Sequence, residues 1–167
     1  MADIKSKQKG LFLRKQELRH GIELLFFAYR DFTQEADSLL AEINLGRAHH
    51  RVLHFVGRQA GINVSDLLSI LNITKQSLSR VLSHLIDEDY VEQKTAAHDR
   101  RQRLLYLTDK GQKLEAQIAE LQFQRFARAY QASGAEAVAG FRQILSGLLD
   151  DEARAHLERL EALDEKR

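Results

Sequence analysis

A mainly α-helical chain with one small β-hairpin is the fold this sequence predicts, and three observations carry the prediction. Its 167 residues include no proline and only 9 scattered glycines, so little interrupts long helices. Apolar residues recur at steps of three and four along most of the chain. One stretch, residues 90–107, breaks that rhythm and reads as two short strands around a polar tip.

Composition narrows the function before any motif is read. With 44% hydrophobic and 29% charged positions the chain can bury the core of one domain or two small fused modules. The net charge of +1 excludes a strongly basic or acidic unfolded chain, so any basic patch must be local. The absence of cysteine excludes a disulfide scaffold, a thiolate zinc site, a thiol nucleophile and thiol redox sensing. No apolar run approaches the roughly 18 residues of a membrane span. The lysine-rich N-terminus lacks the apolar stretch of a secretory signal, so a cytoplasmic location without a membrane partner is expected.

Residues 1–15 are polar and basic apart from Leu11, Phe12 and Leu13, and are expected to form a flexible arm that can dock through those three. From 16 to 43, Leu18, Ile22, Leu25, Tyr29, Phe32, Ala36, Leu39 and Ile43 alternate steps of three and four, as one amphipathic helix requires. Leu24, Phe26, Phe27 and Leu40 widen its stripe, which calls for packing on two sides. Gly46 ends this helix, and a second is expected over 47–59, closed by Gly61. A short extended piece at 62–64 leads to a helix over 66–71 capped by Ser65. After the turn Asn72-Ile73, a helix over 75–87 is capped by Thr74. Residues 90–94 and 102–107 are the expected strands. Thr108 caps a long helix through Leu114, Ile118, Leu121, Phe126 and Tyr130 that ends near Ser133-Gly134. One last helix, with Val138, Phe141, Leu145, Leu148, Leu149, Leu157, Leu160 and Leu163, runs to the C-terminus.

Helix, helix, short strand, helix, turn, helix and charged hairpin is the order of a winged helix-turn-helix, which reads a nucleic-acid groove with its second helix. Residues 46–111 carry a local charge of +3 and five of the seven histidines, while the remainder sums to −2. The basic excess therefore falls where a duplex would lie. Within 75–87, Leu78, Val81, Leu82 and Leu85 form one face, leaving Gln76, Arg80 and Ser83 opposite, flanked by Ser77, Ser79 and His84. Arginine can bond guanine, and glutamine adenine, in a bidentate manner, while serines let the helix approach base edges and phosphates. The hairpin tip holds Arg100, Arg101 and Arg103, suited to a narrow minor groove. Asp99 is expected to orient a neighbouring arginine by a charge-assisted bond.

Asp99-Arg100-Arg101 followed by Leu105-Tyr106-Leu107-Thr108-Asp109-Lys110-Gly111 resembles the wing and its exit in the MarR family of bacterial transcriptional regulators. Val64-Ser65-Asp66-Leu67-Leu68, Ile73-Thr74-Lys75-Gln76-Ser77-Leu78-Ser79-Arg80 and Leu85-Ile86-Asp87-Glu88-Asp89-Tyr90-Val91-Glu92 resemble the same family. One departure is Asp89-Tyr90, where many relatives place glycine. The resemblance implies a homodimer that binds double-stranded DNA at a pseudo-palindromic operator, as a repressor. Gln76, Ser77, Arg80 and Ser83 would then read bases, and Ser65, Thr74, Lys75, Ser79 and His84 would reach phosphates. Asp99, Arg100, Arg101 and Arg103 would form the minor-groove wing.

The wide stripe of the first helix and the leucine-rich last one agree, since both expect a partner. Leu18, Ile22, Leu25, Leu145, Leu148, Leu157 and Leu160 are the interface candidates. The division is a flexible basic arm (1–15), an N-terminal dimerisation helix (16–45), a winged lobe (46–111) and C-terminal dimerisation helices (112–167).

Release by a small anionic aromatic effector is also implied by the resemblance. Phe26 and Tyr29 on the first helix, with Arg47, His50, Arg51 and His54 on the second, are the candidate pocket. The one-turn spacing of His50 and His54, with His49 adjacent, raises a metal-responsive alternative, and a winged-helix protein-interaction module is another. His50-x-x-x-His54 lacks the glutamate of zinc peptidases, and no glycine-rich phosphate loop or Gly-x-Ser-x-Gly elbow occurs. No catalytic residue, resident metal or cofactor is therefore expected.

Overall fold

The computed structural model describes residues 10–97, 99 and 101–165. Most of the basic arm lies outside them, and its described end is a single 3-10 turn, Leu11–Leu13, with Phe12 62% exposed. Helix α1 (Lys15–Glu42) leads into α2 (Arg47–Arg58), strand β1 (Ile62–Asn63), α3 (Val64–Leu71) and α4 (Lys75–Asp87). Strands β2 (Val91–Thr95) and β3 (Arg103–Leu107) follow, then α5 (Asp109–Leu148) and α6 (Asp151–Asp164). None of the described helices is long and apolar enough to cross a membrane.

The core lies in the lobe built from α2 to β3, closed by the end of α1 and the root of α5. Leu40, Leu53, Ile62, Leu67, Leu78, Leu85, Leu105 and Ile118 are fully buried in it. The buried residues of α1 are only Thr33, Ala36 and Leu40, all in its second half.

Local chemistry sets the boundaries. Thr74 caps α4 as expected, its hydroxyl oxygen accepting from the Ser77 amide at 3.2 Å. The cap of α3 is Asn63, two residues before the expected Ser65. Asn63 Oδ1 accepts from the Asp66 amide at 2.8 Å while its Nδ2 donates to the Asp66 carboxylate at 2.9 Å, a reciprocal pair that a serine two residues later cannot make. Asn72, in the turn, adopts the left-handed region at φ 48°, which asparagine tolerates.

The hairpin belongs to a three-stranded antiparallel sheet in the order β1-β3-β2. Ile62 faces Leu105 across β1 and β3, and both are buried, so the wing is rooted in the strand that precedes α3. At the entrance to β2, Asp89 has φ 61°, the conformation that glycine would adopt without strain. Its carbonyl accepts from the Thr108 hydroxyl at 2.6 Å.

The C-terminal half follows expectation at Gly134 and departs from it at Leu149. Gly134, with φ 81° and ψ 168°, kinks α5 where the first long helix should end. The expected single last helix is broken again at Leu149, because Asp150 starts a new one by accepting from the Ala153 amide at 2.8 Å.

Candidate nucleic-acid interface

Lys75, Gln76, Ser79, Arg80 and Ser83 line one shallow depression on the exposed side of α4. Burial of Leu78, Leu82 and Leu85 on the opposite side fixes that orientation. Ser77 is exposed but engaged, since the Thr74 hydroxyl donates to its Oγ at 2.8 Å. Thr74 thus has its own hydrogen committed within the cap. Ser65 is exposed in the first turn of α3.

His84 does not lie open beside this face. Its Nδ1 is 2.9 Å from Nε2 of His49, and His49 Nδ1 accepts from the Gly46 amide at 3.0 Å. That acceptance places the His49 hydrogen on Nε2, which donates to His84 and leaves only the outer nitrogen of His84 as a donor. Burial, reinforced by the neighbouring His84, holds the His49 pKa below the usual imidazole value.

At the wing tip, Asp99 Oδ1 accepts from the Arg101 backbone amide at 2.9 Å, and the Asp99 carbonyl accepts from the Gln102 amide at 3.0 Å. The acid was expected to bind an arginine side chain; its contact to Arg101 instead shapes the loop. Arg101 is exposed, whereas Arg103 Nη1 donates across the hairpin to Thr95 Oγ1 at 2.6 Å. Arg100 lies outside the described residues.

The pocket candidates come together only in part. Arg51 donates to the Tyr29 hydroxyl at 3.0 Å, and the Arg47 guanidinium stands 5.7 Å from the Tyr29 ring centre. Arg47 is ion-paired with Asp37, whose hydrogen bond raises the arginine pKa. The rings of His50 and His54 are 6.4 Å apart, and His54 Nδ1 is 3.5 Å from Glu115. Burial and then His54 lower the His50 pKa. Phe26 is 64% exposed and packs edge-on against Phe27. Among the described residues no group of three or more His, Cys, Asp or Glu is placed to hold a metal ion.

Sequence reasoning missed an apolar groove of about 450 Å³ between α1 and the two arms of kinked α5. Tyr29, Phe32, Phe126, Tyr130 and Phe141 supply its aromatic lining. Phe126 and Tyr130, one turn apart, were visible as a helical stripe; the fold-back at Gly134 that brings Phe141 against them was the missing information.

A capped helix with polar side chains over its exposed face, beside a rooted hairpin bearing arginines, defines a winged helix-turn-helix protein of the kind that regulates transcription. Residues 43–102 match the MarR family. Over 150 residues, 90% of each chain, the sequence is 49% identical to the HTH-type transcriptional regulator PetP of Rhodobacter capsulatus. The chain belongs to the MarR family, whose members are transcriptional regulators. The fold is shared with FabT of Streptococcus pneumoniae, solved in complex with DNA, at a TM-score of 0.72 and 18% identity over 86% of this chain and 99% of that one. NadR, solved in complex with 4-hydroxyphenylacetate, matches at a TM-score of 0.64 and 22% identity over 74% and 88%.

Proposed function

We propose that this regulator is a homodimeric repressor of the bacterial cytoplasm that binds a pseudo-palindromic operator. Helix α4 of each copy enters the major groove and the wing an adjacent minor groove. The observation that carries the reading is the shared exposed depression of Lys75, Gln76, Ser79, Arg80 and Ser83 on α4. Gln76 and Arg80 read bases there, with Ser77 and Ser83 close to base edges, while Lys75, Ser79 and the outer nitrogen of His84 reach phosphates. Ser65 and Thr74 lie at helix starts, where backbone amides favour anions. Asp99 shapes the loop that presents Arg101, Arg103 secures its base, and Arg100 is assigned to the same minor-groove contact. The DNA-bound relative FabT, of the same fold, supports the docking.

Dimerisation is supported by apolar surface without a cover. Leu18 is 50%, Ile22 70%, Leu25 49%, Leu148 65% and Leu157 40% exposed. The chain exposes 12530 Å², against about 8,400 Å² for a compact monomer of its mass. Leu145 lines the aromatic groove, while the Leu160 carbonyl is bonded within the chain. On this reading 16–45 and 112–167 form the scaffold that carries the lobe at 46–111, joined to the arm at 1–15.

An anionic aromatic effector is the second part of the reading. Tyr29 belongs both to the arginine cluster and to the apolar groove, so a ring in the groove can approach Arg51 and Arg47 with its charge. The ligand of NadR is of that chemistry. The decisive experiment is selection of bound duplexes from a random pool, with light scattering on the free protein. A palindrome bound by a species of twice 19.2 kDa is the expected result. Absence of duplex binding even at low salt would move the reading to a protein-interaction module.

A further inference from the structure

Helix α6 returns to the winged lobe and is pinned to it at both ends. Arg58, on α2, donates to the two carboxylate oxygens of Asp164 at 2.7 and 2.8 Å and to the Leu160 carbonyl at 3.3 Å. One helical stretch earlier, Ser69 on α3 donates to Glu152 at 2.8 Å and lies 3.0 Å from His156 Nε2. Arg159 approaches the other ring nitrogen of His156 at 2.8 Å. A guanidinium can only donate, so Nδ1 accepts and Nε2 carries the hydrogen. The bonds therefore run in one direction: Arg159 to His156, His156 to Ser69, Ser69 to Glu152. The His156 side chain is 12% exposed, so the network is partly sheltered from water.

The scaffold also meets the lobe at the root of α5, where Gly111, Leu114 and Ile118 are buried, and along the second half of α1. The short link Leu149-Asp150 joins α6 to the far end of α5. The lobe is thus tied to the scaffold from a further side, at α2 and α3, by polar contacts that run from one end of α6 to the other. Partly exposed ion pairs contribute little to stability but fix direction well when bidentate.

We propose that Arg58, Ser69 and His156 are positioning residues through which α6 braces each reading lobe and sets the separation of the two α4 helices in the dimer. The inference rests on the homodimeric reading above and deepens it. The cysteine-free chain permits a direct test with the full-length protein. Spin labels on Asp87→Cys, at the end of α4, report the distance between copies by pulsed electron resonance. The labelled Asp87→Cys protein is expected to give a narrow distribution, and the same protein with Arg58→Ala and Ser69→Ala one about twice as wide. Affinity for the selected operator should fall about five- to tenfold, with helix content unchanged by circular dichroism. Reversing the pair, Arg58→Asp with Asp164→Arg, should restore the narrow distribution, which a general loss of packing would not allow. An unchanged width and affinity in the double alanine variant overturns the brace alone. A labelled Asp87→Cys protein that scatters light as a single chain and gives no dipolar signal overturns the dimer, and the brace with it.

Discussion

Arg80 and Gln76 stand on the exposed strip of α4 with no side-chain partner among the described residues, so both are free to bond outward. Replacing either with alanine should relax preference at one base position by about 1–3 kcal/mol, read by comparing the selected operator with single-base variants. Arg101→Ala should instead weaken all duplexes of suitable shape, because a minor-groove arginine reads width more than sequence. His49 and His50 carry a different consequence. Their pKa values are lowered in the folded chain, so between the folded and unfolded values the unfolded chain binds more protons. Stability is complete above about pH 6.5 and falls as the pH drops through the folded values. Melting measured from pH 7.5 to 5.5 should show this loss, and His50→Gln should diminish it. Among these residues, the exposed face of α4 was legible because helical spacing alone separates Gln76 and Arg80 from the leucines. His84 was not, since its bond to His49 joins two helices 35 residues apart.

Elements with a strong local cause were legible and those without were not. Thr74 and Thr108 each cap a helix that their spacing foretold, and Gly134 interrupts α5 where the pattern weakened. Strand β1 was seen only as a short extended piece, because two residues are too few to show alternation; its pairing depends on Leu104 and Leu105 arriving from far along the chain. The start of α5 is tighter than any pattern reveals. A Cβ on Gly111 would stand 2.0 Å from the Tyr90 carbonyl oxygen, so the helix must enter against bare backbone. Gly111→Ala should cost about 1–3 kcal/mol or more in urea unfolding, with the wing root disturbed. Asp89→Gly should do the reverse, gaining up to about 1 kcal/mol by relieving the left-handed backbone at φ 61°.

For the whole molecule, the uncovered first half of α1 is the dominant feature. The width of its apolar stripe was legible as a demand for two partners, but which faces its own chain covers was not, because that depends on where kinked α5 folds back. Leu25→Asp should convert the light-scattering species to one chain mass and abolish operator binding, since Leu25 lies on the exposed part of that stripe. The rooting of the wing in β1 has a further consequence. Because Ile62 and Asn63 pair with Leu105 and Leu104, the root of the hairpin and the start of α3 are held in one sheet. On the proposed docking, release from one groove should then carry the other with it. An effector acting on the scaffold should therefore lower occupancy at every base position in proportion, leaving the consensus recovered with and without it the same while the bound fraction falls.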